Sequence, residues 1–225
     1  FSLGGYLLGS VTASSGIVTP EALYPDNPEA ALNVAQVIQS LDADPTDDII
    51  TIPDNFTDLD DVTTTPEDEN FDALIEDVLD VPLVTEEEAQ EHLDETELML
   101  LLAGKTFYNV DVEWIDKFVF NADLTSGTWT QIEGSDIGST DTDTLRVEGE
   151  KLYVNEEFYA VIAEETDDYI LINDFNLDGS ADGESRLYFD QAKAEAYYDS
   201  LQPIPMTTEM LSGKVFYTDG GNDFE

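Results

Sequence analysis

The chain has 225 residues, and 52 acidic side chains face only seven basic ones, for a formal net charge of -45. Such a chain repels phosphates, which excludes nucleic acid and anionic membrane surfaces as partners and favours divalent cations. Cysteine is absent, so disulfides, thiolate metal sites and cysteine nucleophiles are excluded as well.

A hydrophobic content of 41% provides for a sizeable core. Residues 1–104 hold 25 of the acids and no Lys or Arg, whereas the rest holds 27 acids and all the bases. This asymmetry points to two units. No stretch approaches the roughly 18 consecutive apolar residues of a transmembrane helix.

Residues 1–20 place Leu3, Tyr6, Leu7, Leu8, Val11, Ile17 and Val18 between glycines, the pattern of short strands joined by turns. "DNPEAALNVAQVIQSL" has Asn27 as N-cap, Pro28 at the first helical position and Ala31, Val34, Ala35, Ile38 and Leu41 on one face, a helix over 28–41. Thr65-Pro66-Glu67 repeats that start signal before Phe71, Leu74, Ile75, Val78 and Leu79, which are spaced for a second helix. A third starts at Thr85 with Glu88 completing a capping box, and stops at Gly104.

After Gly104 the period falls to two. Seven short segments rich in aromatic and β-branched residues, from "KTFYNV" to "SRLYFD", predict an antiparallel meander or closed barrel. Asp190 caps a last helix that ends before Pro203. "LLAGKTFY" at 101–108 returns as "MLSGKVFY" at 210–217 with five of eight positions identical, which suggests the first strand of a second copy. The expected class is therefore α+β. An acidic α/β module at 1–97 precedes an antiparallel β domain with a C-terminal helix at 98–208, and a second β repeat begins at 209–225.

"NDFNLDGSADGESR" at 173–186 carries the one chemical signal with a register. Asp174, Asn176, Asp178 and Asp182 fall at positions 1, 3, 5 and 9 of a calcium loop, with Gly179 at position 6. Ser185 stands where a bidentate Glu would be, so Glu184 or Asp190 would complete the set. The expected ligands of a structural Ca²⁺ are Asp174, Asn176, Asp178, Ser180, Asp182 and Glu184. The alternative is a solvated hairpin turn. A second acidic stretch has Asp42, Asp44, Asp47 and Asp48, with Pro45 in place of a useful glycine.

His92, the single histidine, lies among Glu87, Glu88, Glu91 and Glu95 and reads as a surface residue. No nucleophile elbow, Walker or Rossmann pattern occurs. Catalysis is therefore not expected, although paired carboxylates acting on an extracellular polysaccharide are an alternative. The aromatic residues of the β region, among them Trp114, Phe118, Phe120, Trp129, Tyr153, Phe158, Tyr159, Tyr169 and Tyr188, either pack a core or line a pocket for a small apolar ligand.

Two resemblances add to this reading. "AGKTFY" resembles the G-x-W opening of lipocalin-like barrels, with Phe107 at the Trp position. That implies a carrier with an internal pocket. "FSLGG", "LGS", "VTPEAL" and "NVAQVIQSLDAD" within residues 1–44 resemble a module of secreted or lipid-anchored multidomain surface proteins of marine bacteria. It implies export and a cell-surface role, with any anchor upstream of Phe1, and no activity; the expected function class is binding or display, with an extracellular glycan or protein as partner. A high-salt cytoplasm would suit the acidic excess equally.

Overall fold

The computed structural model describes residues 1–12, 18–43, 50–52, 57–203 and Ser212. It is an α+β protein: helices occupy the first part, and an eight-stranded antiparallel barrel with a C-terminal helix follows.

The chain opens with a small hairpin, β1 (Ser2–Leu3) and β2 (Tyr6–Leu7). Val11 lies outside any strand and Ile17 outside the described residues. A short helix, α1 (Pro20–Leu23), takes the place of the further strands expected here. Its start signal is legible: Thr19 accepts from the Ala22 N–H and Pro20 needs no donor.

Helix α2 (Pro28–Ser40) begins as expected, with Asn27 Oδ1 accepting from the Ala30 N–H. Helix α3 (Phe71–Leu79) starts five residues later than the Thr65-Pro66 signal suggests. Three local bonds to Asp68 and one long-range bond explain the delay. Asp68 Oδ2 collects the Thr65 N–H together with the Thr64 and Thr65 hydroxyls. The Pro66 carbonyl, which a helix would need, accepts instead from the buried Asn33 Nδ2 at 2.8 Å. The Thr64–Asp68 segment therefore closes as a turn.

Helix α4 (Glu86–Leu102) carries the full capping box of Thr85 and Glu88. It ends at Ala103, and Gly104 follows at φ +68°, a conformation a side chain would strain. The expected boundary between residues 97 and 98 falls inside this helix. Its first half packs through Ala89 and Leu93 on Ala35 of α2. Its second half delivers Leu98 and Leu102 to the barrel core. One rigid element therefore belongs to both cores.

The barrel runs β3 (Thr106–Val110), β4 (Ile115–Phe120), β5 (Ser126–Glu133), β6 (Thr140–Glu148), β7 (Lys151–Val154), β8 (Phe158–Glu165), β9 (Tyr169–Asn176) and β10 (Ala181–Tyr188). Each strand pairs with the next, and β10 closes on β3 through Leu187 opposite Asn109 and Tyr188 opposite Tyr108. Closure removes both sheet edges. Helix α5 (Gln191–Leu201), capped by Asp190, lies outside the barrel, with Ala194 on Ile115 and Tyr188.

The first core gathers Leu3, Tyr6, Leu23, Val34, Phe71 and Ile75, among others. The candidate second repeat lies outside the described residues, apart from Ser212, as do Asp44, Asp47 and Asp48. Among the described residues, no helix is long and apolar enough to cross a membrane.

Candidate functional site

Strand alternation sorts the barrel residues into an inner and an outer face. Inside, the end reached by α4 is lined by Leu98, Leu102, Phe120, Leu145, Leu152, Ile170 and Leu187. Phe107, fully buried, meets Phe120 edge-on with ring centroids 5.7 Å apart. Beyond this floor the wall continues through Phe118, Val154, Phe158, Ala160, Ile162 and Ile172. A cavity of about 210 Å³ remains between them. Four polar side chains share its lining: Asn109 on β3, Asp143 on β6, Asp174 on β9 and Ser185 on β10.

The aromatic residues thus divide between the two faces. Phe118, Phe120 and Phe158 face the cavity. On the outer face Tyr153, Tyr159 and Phe175 form a ladder across β7, β8 and β9, with Tyr159 and Phe175 stacked at 5.3 Å. Arg146 lies 4.0 Å over the Tyr153 ring while bonded to Glu148 and Glu156. Arg186 sits over Tyr169 and Tyr197.

The residues expected to hold calcium are distributed along the β9–β10 hairpin. Asp174 is on β9, half-buried and turned inward, and accepts from the Ser185 hydroxyl at 3.1 Å. Burial pushes its carboxyl up from the ordinary range; the Ser185 bond opposes this, and the charge of Asp182 adds to it. Asn176, Asp178 and Ser180 do meet, in the exposed turn. Asp178 Oδ1 accepts from the Ser180 N–H at 2.9 Å and its hydroxyl at 2.6 Å, which holds the Asp178 carboxyl below the usual range. Asn176 Nδ2 donates to Ser180 Oγ at 3.2 Å, and Gly179 takes φ +82° to close the turn.

Asp182 and Glu184 are exposed on β10, Glu184 opposite Asn173. Asp190 is occupied as the cap of α5, after β10 has run its length away from the turn. Among the described residues, no three His, Cys, Asp or Glu side chains converge on a point that could hold a metal ion.

Next to Asn109 in the β3–β4 register stands Asp116. Its carboxyl is also pushed up by burial, and its Oδ1 is buried with no hydrogen-bond partner. Asp116 borders a cleft beside α5 with Trp114, Trp129 and Gln131. Asn109, Asp116 and Asp143 carry no motif in the sequence. Only alternation could have found them: Asp143 is two residues from the inward Leu145, as Asp174 is from Ile172.

Comparison with known proteins adds little. No family model matches the chain, and no curated protein matches it. The marine surface-module resemblance of residues 1–44 therefore gains no support from these comparisons. Two solved structures align with part of the chain. One is a lipocalin lipoprotein affecting virulence in Streptococcus pneumoniae, 17% identical, aligned over 37% of this chain and 86% of that one with a TM-score of 0.27. The other is a protein of Burkholderia vietnamiensis provisionally described as a β-lactamase, 14% identical over 37% of this chain and 89% of that one, with a TM-score of 0.23. Scores this low carry no argument about this chain, so the barrel reading rests on its own strand order.

Proposed function

We propose that the β domain is a non-catalytic binding module that takes a small apolar ligand inside its barrel. The observation that carries this reading is the cavity of about 210 Å³, walled by aliphatic and phenylalanine side chains within a closed barrel and bearing a few polar groups. Binding sites for small molecules have this make-up: mostly apolar walls with a small number of placed polar groups. Helix α4 supplies part of the floor through Leu98 and Leu102, so the acidic helical part supports the site from below.

The test is titration with a neutral fluorophore no larger than naphthalene. Saturable enhancement at one site is expected. Ala160→Leu, which adds bulk to the cavity wall, should abolish it while leaving the far-UV circular dichroism unchanged. Enhancement that never saturates, or that Ala160→Leu leaves intact, would rule the cavity out as the site. An extracellular or cell-surface setting, and a Ca²⁺ at the β9–β10 turn, belong to the same proposal. In that form Asn176, Asp178 and Ser180 serve the ion while Asp174 serves the cavity.

A further inference from the structure

We propose that the barrel cavity selects a small organic cation, an apolar body of about one aromatic ring bearing a protonated amine; this rests on the cavity-binding reading above. The cavity is apolar over most of its wall, yet the charged residues that line it are both carboxylates, Asp143 and Asp174, and among the described residues no Lys, Arg or His lines it. Each accepts one side-chain hydrogen bond, Asp143 from Asn155 Nδ2 at 2.8 Å and Asp174 from Ser185 Oγ at 3.1 Å. An ionised carboxylate has about four acceptor sites, so both keep capacity for a further donor.

Among the described residues, three bases are engaged outside the cavity. Arg146 is bonded to Glu148 and Glu156, Lys193 to Asp168, and Arg186 lies over two tyrosine rings. Asp116, across from the lining residue Asn109, adds a third carboxylate whose Oδ1 is buried and accepts no hydrogen bond. A half-buried carboxylate without a counter-charge is costly, and the raised Asp174 carboxyl records that cost. A ligand ammonium would supply the missing charge and donors together, whereas a ligand carboxylate would add repulsion.

Size narrows the class further. A cavity of about 150 Å³ accommodates benzene. One of about 210 Å³ accommodates a ring with a short arm, and the arm carries the amine towards Asp174 or Asp143.

The experiment is calorimetric titration of the full chain with phenethylamine, phenethyl alcohol and phenylacetate, three ligands of similar apolar size and different charge. Salt near 1 M shortens screening to about 3 Å, so the diffuse pull of the net charge is removed. The amine is expected to bind about tenfold tighter than the alcohol, the ratio one charge-assisted hydrogen bond supports, with phenylacetate weakest. Asp143→Asn/Asp174→Asn should bring the amine to the affinity of the alcohol and leave the alcohol unchanged. Should the double variant unfold, Asp174→Asn alone is measured the same way and should lose most of the preference. Equal affinity for amine and alcohol would overturn the charge inference and leave the cavity reading standing. A preference that survives in the variants would overturn it too, as attraction to the protein at large. Failure of all three ligands to bind would overturn the cavity reading itself.

Discussion

The helical part and the barrel solve the same electrostatic problem by different means. Residues 1–104 contain no Lys or Arg, so their carboxylates turn to backbone N–H groups and hydroxyls. Asp60 accepts from the Gly5 N–H at 2.6 Å, Glu76 from the Leu83 N–H at 3.1 Å, Glu88 from the Thr85 N–H at 2.9 Å, and Asp68 from three donors. These bonds hold the Asp68 and Glu88 carboxyls below their ordinary range. In the β domain Arg146, Arg186 and Lys193 sit outside the barrel cavity, each over a ring or beside an acid, and among the described residues no base joins Asp143 and Asp174 in the cavity lining. An acidic chain with no bases can still fold where N–H groups at caps and turns serve as the counter-partners. Where its acids enter a cavity, the missing partner is left for a ligand.

The two regions share α4, and the largest expected effect tests that link. Phe107→Ala removes a fully buried ring from the barrel core and should cost about 3–5 kcal/mol. Phe71→Ala does the same to the helical core, where Phe71 is 1% exposed. Both tryptophans, Trp114 and Trp129, lie in the barrel, so their fluorescence reports barrel unfolding alone. If α4 couples the cores, Phe71→Ala shifts the urea midpoint read by fluorescence along with that read by circular dichroism. A fluorescence midpoint left in place would make the two regions independent.

A smaller effect should follow loss of the α4 start. Thr85→Ala removes the side-chain half of the capping box and should cost about 1 kcal/mol, read as a lower urea midpoint at unchanged slope. An unchanged midpoint would show that the first turn of α4 contributes nothing to global stability.

The sign of the pH dependence separates the buried carboxylates from the capping ones. Asp72, Asp116 and Asp174 are raised by burial, so the folded state binds their protons more tightly than the unfolded chain does. Their effect is to lower stability as pH rises from the unfolded value near 3.8 through the raised folded value. Asp174→Asn should therefore raise the melting temperature at pH 7 and leave it unchanged at pH 3. Asp68 and Glu88 act in the opposite direction, since their contribution is present above the unfolded values and lost as pH falls through the folded ones. A lower melting temperature for Asp174→Asn at pH 7 would mean that the charge, not its removal, suits the cavity.

The smallest effect concerns divalent cations at the β9–β10 turn. A stoichiometric calcium heat, absent with magnesium and lost in Asp178→Ala, would establish a site there and raise the melting temperature by mass action. Equal behaviour of the two ions, with Asp178→Ala unchanged, would leave Asp178 as the local partner of Ser180 that its two bonds make it.

Much of the fold was legible because its signals are local. Asn27, Thr85 and Asp190 announce their helices within three residues, and each accepts the N–H its spacing promised. The fall to a period of two after Gly104 marked the strands for the same reason, since backbone geometry alone sets alternation. The late start of α3 was not legible: it depends on Asn33, 33 residues away from the Pro66 carbonyl it binds. Nor was the placement of Asp174. Its spacing to Asp178 and Asp182 suits a loop wrapped round an ion, but strand pairing sets Ser185 opposite Ile172 and turns the Asp174 carboxylate inward.

By itself, then, the sequence determined the starts of α2, α4 and α5, the class, the alternation and the net negative charge, because each depends on neighbours along the chain or on composition. The closure of β10 on β3, the seat of α4 in two cores and the carboxylates of the cavity were decided only by tertiary structure. Each depends on which residues distant in sequence come face to face, and loop closure and packing settle that.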